Sequence, residues 1–220
     1  MRTLFIAFIV LIAGSVSAQN CKAFLPYSKG TVWEITDYTA KGKETGRTAY
    51  ELVDKKESGK NFTFTVKAVA YDDKGKEVFS NSYDAFCKGG KFGFDMNYMM
   101  DGQSMQAYNE MDMEVDATEL EIPDMNTPAG TKLNDASLQI QIAGLFKMTI
   151  NVTERVVEAK EKQETPAGTF DCIKISQRVS TKMMVKVNML AKEWYAEGVG
   201  LVASETYNKK GKLVGYSKLT

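Results

Sequence analysis

Hydrophobic and polar residues alternate with period two through most of the chain, and amphipathic helical spacing is hard to find beyond the first 18 residues. Phe62, Phe64, Val66, Ala68 and Ala70 fall on one side and Thr63, Thr65 and Lys67 on the other. That is the pattern of a strand with one face in a core and one in water. Comparable strands are predicted at 31–38, 47–54, 77–88, 91–100, 104–116, 138–142, 147–158, 170–179, 183–195, 200–207 and 212–219.

The segments between them carry turn chemistry. Tyr38 to Lys43, Tyr71 to Lys76 and Tyr207 to Lys212 share an aromatic strand end, a polar turn and a Lys-Gly-Lys close, with Gly where φ is expected to be positive. Thr-Pro-Ala-Gly-Thr occurs at 127–131 and again at 165–169, each time before a new strand, and reads as a corner. A two-residue turn at Gly89-Gly90 pairs residues whose numbers sum to 179. It sets Cys87 opposite Phe92, Ala85 opposite Phe94, Tyr83 opposite Met96 and Phe79 opposite Met100, all on one face. The expected fold is all-β: an antiparallel meander of ten to twelve strands with little helix, curled into a barrel or a deeply curved wrapped sheet.

Arg2, the apolar run Leu4 to Ala13 and the small residues Val16-Ser17-Ala18 have the order of a secretory signal peptide. The expectation is a leader at 1–18 and a single all-β domain at 19–220, exported to the periplasm, the cell envelope or beyond. The leader's apolar run is too short to span a membrane, and Gln19 and Asn20 are not the small residues that lipid attachment at Cys21 would need. The 28 basic and 28 acidic residues are interspersed along the chain, so nothing in their linear order points to nucleic acid or anionic lipid.

An oxidising compartment allows a disulfide, and three cysteines leave one thiol over. Three pairings are open, as are three free thiols. Cys21 with Cys87 is favoured, because Cys21 sits in a terminal segment that needs tethering and Cys172 lies inside a strand-like run.

Histidine is absent, which removes every mechanism resting on imidazole and most zinc and copper sites. Glu110, Asp112, Glu114 and Asp116 alternate with Met111, Met113 and Val115, as the solvated face of a strand does. The unusual enrichment is in methionine, 12 residues concentrated in 96–125 and 183–189. Three readings compete for them: plain core, the flexible wall of an apolar cavity, or a Cu(I) site of thioethers such as Met111 and Met113. Strand periodicity favours the first. The ligand-binding candidates are Met96, Met100, Met105, Met111, Met113, Phe92, Phe94 and Trp33; no catalytic residue, resident metal or cofactor is expected.

Phe24 to Glu34 with Tyr38 and Lys41-Gly-Lys43, the corner Thr165 to Cys172, and the closing run Glu193 to Val202 resemble uncharacterised exported proteins of Bacteroidetes of the kind labelled TapB-like. The resemblance spans nearly all of the chain after the leader. It implies an envelope location and an all-β wrapped sheet similar to YmcC-like or lipoprotein-carrier-like folds, and it brings no catalytic residues. The expected function is non-catalytic: binding an apolar or amphiphilic molecule in the concave face of the sheet. The alternatives are an assembly factor holding another envelope protein, through a sheet edge or the loops at Asp101-Gly102 and Asp124 to Asn126, and Cu(I) binding.

Overall fold

The computed structural model describes residues 22–96, 113–142, 146–183 and 185–220. Thirteen strands form a single sheet that is nearly closed into a barrel, every pair antiparallel. They are β1 (Val32–Thr39), β2 (Glu44–Ser58), β3 (Asn61–Asp72), β4 (Glu77–Lys88), β5 (Lys91–Asp95), β6 (Met113–Ala117), β7 (Glu119–Ile122), β8 (Ala136–Ile142), β9 (Phe146–Thr165), β10 (Gly168–Lys182), β11 (Lys186–Ala196), β12 (Gly200–Asn208) and β13 (Leu213–Leu219). The all-β expectation holds, with one strand more than its upper bound. No helix among the described residues is long and apolar enough to cross a membrane.

The turns explain most of the order. Gly42, Gly75 and Gly211 take φ of 81°, 79° and 75°, so the three Lys-Gly-Lys turns close as their sequence implies, joining β1 to β2, β3 to β4 and β12 to β13. At Gly89-Gly90 the register is the expected one, with Ala85 opposite Phe94 and Cys87 opposite Phe92. The β4–β5 ladder stops at Phe94, however, so Met96 does not pair with Tyr83, and Met100 lies outside the described residues. The two Thr-Pro-Ala-Gly-Thr corners differ in use. The second is the tip of the β9–β10 hairpin, whereas the first brings Gly130 N–H to the Val157 carbonyl at 2.8 Å and runs along β9 where β8 has ended.

Besides the pairing of β13 with β1, which joins the two ends of the chain, the order breaks where the barrel nears closure. β5 pairs with β7, while β6 pairs with β8. Only Thr118 separates β6 from β7, so one short stretch of chain changes partner midway and reaches both sides of the seam. Thr118 holds both: its N–H donates to the Ser137 carbonyl (2.9 Å), its carbonyl accepts from Met96 N–H (3.1 Å), and its hydroxyl accepts from Ser137 N–H (2.7 Å). The sequence pattern did not separate β7 as a strand.

Two apolar clusters fill the interior. One gathers Leu52, Phe64, Val66, Ala85, Cys87, Phe92, Ile173, Ile175 and Tyr195 around the N-terminal residues Ala23, Phe24 and Leu25. The other joins Met96, Leu120, Leu138, Ile140, Ile150 and Val152. The N-terminal segment thus acts as a plug, pinned by a hydrogen bond from Gly198 N–H to the Ala23 carbonyl (2.9 Å) and by Phe24 against Phe92, with ring centroids 6.0 Å apart. A third cluster, of Cys172, Trp194, Ala196, Val202 and Ala203, lies apart from these, and Trp194 alternates with the inward Tyr195.

Cys87 is disulfide-bonded and Cys172 is free; Cys21 lies outside the described residues. Burial, with the charges of Asp171 and Glu161, pushes the Cys172 thiol up to about 12, so it stays protonated at neutral pH. Peptide mapping without reduction is expected to join Cys87 to Cys21 and to leave Cys172 unlabelled until the protein is denatured. Reduction is expected to lower unfolding stability by up to about 4 kcal/mol, the chain-entropy value for the 66-residue loop from Cys21 to Cys87, read by urea titration.

Candidate functional site

Strict alternation along β9 would leave Arg155 on the face opposite Ile150 and Val152. A bulge prevents this. Val156 stands opposite Ser176 and Thr153 opposite Arg178, so Glu154 and Arg155 together face Gln177 alone. Glu154 takes φ of 54°, a region that costs a non-glycine residue on the order of 1 kcal/mol or more. Its carboxylate accepts two hydrogen bonds from Arg178, at 2.9 and 3.0 Å, which hold it below the usual carboxylate range. The extra residue turns the phase of the strand and sends Arg155 inward, where it is only 2% exposed.

A guanidinium in a protein interior is tolerated only when its donors are met. Arg155 donates through Nη1 to the Asn134 carbonyl (2.9 Å), through Nη2 to the Glu121 carbonyl (2.8 Å) and through Nε to Gln177 Oε1 (3.0 Å). It therefore ties β7, the loop before β8 and β10 to β9. The relay continues: Gln177 and the Tyr195 hydroxyl both hydrogen-bond Glu193, the latter at 2.9 Å. Burial raises the Glu193 carboxyl above its ordinary value. The two hydrogen bonds and the charge of Arg155 oppose that shift without cancelling it.

Glu193 faces a chamber of about 110 Å³ lined by Phe24, Leu25, Trp33, Ile35, Tyr50, Tyr83, Phe94, Tyr195 and Leu201. Trp33 and Tyr50, opposite each other on β1 and β2, stack at 5.4 Å with planes 11° apart. Burial, with the nearby charge of Asp37, pushes the Tyr50 hydroxyl up to about 12, and burial also raises the Asp37 carboxyl. Phe24 meets Tyr195 edge-on at 6.4 Å. On its far side opens a larger polar groove, about 470 Å³, bordered by Lys22, Gly89, Lys91, Glu121 and Asn134. The Phe24 ring is thus the partition between an open groove and an aromatic chamber carrying one carboxyl group.

Of the residues singled out from the sequence, Trp33 and Phe94 line this chamber, and Phe92 backs the Phe24 ring and borders the groove. Met96 is fully buried in the other cluster. Met113 pairs with Ile142 in the seam strand, and Met100, Met105 and Met111 lie outside the described residues. Glu114 and Asp116 are exposed and alternate with half-buried Val115 and Ala117, as a solvated strand face does; Glu110 and Asp112 lie outside the described residues. Among the loop candidates, Asp124 accepts from Asn126 N–H (2.7 Å) while Met125 packs on the core, a structural turn; Asp101-Gly102 is outside the described residues. Sequence reasoning missed Arg155, Gln177 and Glu193. The one usable signal was the i, i+2 spacing that puts Glu193 and Tyr195 on one face.

A nearly closed antiparallel barrel with a plugged aromatic interior defines the class: an all-β domain of the wrapped-sheet kind. The chain belongs to the DUF3108-like family, whose model matches residues 28–219. Two solved structures are similar. One is a protein from Bacteroides fragilis NCTC 9343 described as exported and as having a YmcC-like fold, 27% identical with a TM-score of 0.77 over 90% of this chain and 98% of that one. The other, from Parabacteroides distasonis ATCC 8503, is described as a lipoprotein, 27% identical with a TM-score of 0.75 over 91% of this chain and 98% of that one. A comparison with curated proteins finds no match. These likenesses give the chain a YmcC-like fold and support an exported, envelope location in general terms.

Arg155→Met is expected to cost about 3–5 kcal/mol in urea unfolding, because it strands two carbonyls and a buried carboxyl together. Arg155→Lys recovers only part of this, since an ammonium lacks the planar fork. Glu193 tests the linkage separately. Its folded pKa lies above the unfolded value, so its contribution is fully present below about pH 4 and is lost as pH rises through the raised folded value. Melting curves across pH should therefore show Glu193→Gln gaining on the wild type as pH rises from about 4 to 8. A constant difference would contradict the assignment.

Proposed function

We propose that this protein is a non-catalytic envelope binder that holds the apolar portion of an amphiphile in the aromatic chamber, with the ligand's polar end directed to Glu193. The observation that carries the reading is the chamber itself, a partly open hollow walled by aromatic rings that the protein leaves unfilled although its surroundings are densely packed. Its volume is well below the roughly 300–1,000 Å³ of sites that enclose whole drug-sized molecules, so the fit is to one ring or one chain end. The larger groove beyond Phe24 has room and polarity for the rest of such a molecule. A carboxyl group with a raised pKa keeps its proton more readily than a free one, so its O–H suits a polar end that accepts a hydrogen bond. Binding is favoured over catalysis because the chamber's walls are otherwise aromatic and aliphatic, and the chain has no imidazole to pair with Glu193.

The test is native mass spectrometry of the protein extracted from its own envelope without denaturant. The wild type is expected to carry an added mass. Leu201→Phe, which fills the chamber at an overpacking cost of about 1–3 kcal/mol, is expected to lose it while staying folded. A wild type that carries nothing, or a folded Leu201→Phe that carries the same molecule to the same extent, would end the reading.

A further inference from the structure

Successive antiparallel strands return their turns to alternate ends of a barrel, so the β1–β2, β3–β4, β10–β11 and β12–β13 turns share one rim with the start of β9. The N-terminal plug, with Gly89-Gly90 and Gly198, marks the opposite rim. The interspersed charges of the linear sequence are sorted by this arrangement. No acidic residue lies between Asp135 and Glu154, between Asp171 and Glu193, or after Glu205. The fold sets the tips of these three acid-free stretches beside one another, since Lys182 pairs with Thr149 of β9 and Met189 of β11 pairs with Asn208 of β12.

That arc of the rim exposes Lys147, Lys182, Lys186, Lys209, Lys210 and Lys212, and none of the six makes an ion pair among the described residues. At the plug end four lysines are matched, Lys22 with Glu197, Lys29 with Asp54, Lys88 with Glu119 and Lys91 with Glu121, while Lys60 and Lys132 stand apart and are not clustered as on the basic arc. The basic arc also carries exposed apolar side chains. Val185 is 74% exposed, Met183 50%, Val187 46% and Val214 45%, and Val78 stands on the same rim. Each is a residue type that ordinarily seeks a core. Here Met183, Val185 and Val187 lie on the β10–β11 hairpin beside unpaired Lys182 and Lys186, and Val214 lies on β13 beside Lys212.

We propose that this rim docks on the surface of a bilayer containing anionic lipid, with the β10–β11 hairpin entering the headgroup layer and the lysines meeting lipid phosphates. Exposed apolar side chains beside unneutralised cations are what an interfacial contact needs, because burial in the interface and attraction to anionic headgroups then act together. A protein partner of matching acidity would satisfy the lysines but would not by itself explain exposed apolar residues at the β10–β11 turn. The proposal rests on the surface alone and is independent of what the chamber holds.

The experiment is vesicle flotation of the full exported protein. Binding is expected to vesicles of phosphatidylethanolamine and phosphatidylglycerol, to be absent with phosphatidylcholine alone, and to fall at high salt. Val185→Asp should weaken it by about tenfold or more without changing the melting temperature. Each of Lys182→Gln and Lys186→Gln should weaken it roughly fivefold. Val32→Asp, at a position 65% exposed near the plugged end, should leave it unchanged. No flotation with the anionic vesicles, or equal loss from Val32→Asp and Val185→Asp, would overturn the proposal. So would equally tight binding to soluble polyglutamate that Val185→Asp does not weaken, since the rim would then be reading charge and not a bilayer.

Discussion

A guanidinium buried inside a β-barrel constrains everything near it, because each of its donors must find an acceptor that the fold has no other reason to supply at that point. Three of the acceptors of Arg155 lie on β7, on the loop before β8 and on β10. Two of them are backbone carbonyls, so the contact fixes chain paths and not merely side chains. The seam between β5 and β8 is spanned by a short stretch of chain that changes partner at Thr118, and β7 is only four residues long. A ladder that short has little hold of its own. The hydrogen bond from Arg155 to the Glu121 carbonyl adds a tie from β9, across the seam.

That anchor depends on a local defect. Had β9 kept its alternation, Arg155 would point outward and Glu154 inward, placing an unpaired carboxylate where the cation now sits. The bulge reverses the two, and the cost of a positive φ at Glu154 is offset by the hydrogen bonds the bulge makes available: Arg178 clamps Glu154 outside, and Gln177 passes the interior contact on to Glu193. One inserted residue thereby sets the charge on both faces of the sheet. It also brings a cation close enough to temper the burial of a carboxyl at the chamber wall.

These features divide cleanly in how far the sequence reveals them. Lys-Gly-Lys turns, the Gly89-Gly90 register and the alternation of Phe62 to Ala70 are local, and each turn dictates the pairing of the strands it joins. The chamber was legible in part for the same reason: Trp33 and Phe94 are inward positions of well-patterned strands. The bulge was not, because alternation counts residues and cannot register that two of them share one partner. The exchange of partners at Thr118 was not, because a four-residue strand carries too little pattern to be seen and its neighbours are distant in sequence. Nor was the plug: Ala23-Phe24-Leu25 is too short an apolar run to distinguish a segment inside a barrel from one lying on its surface.

Charge shows the same division from the other side. Along the chain, basic and acidic residues balance and interleave, and read linearly they favour no partner. An antiparallel meander then folds every second turn to one end, so any bias between odd and even turns becomes a bias between the rims. The repeated Lys-Gly-Lys turns all fall at one end; Lys43 there meets Asp73, whereas Lys210 and Lys212 meet nothing acidic among the described residues. The opposite end holds the plug, the polar groove and the aromatic chamber behind Phe24. A barrel resting on its basic rim would hold that groove away from the bilayer, so a ligand in the chamber would be reached from the aqueous side. The two ends are therefore suited to different tasks, and the odd-even placement of turns is what separates them.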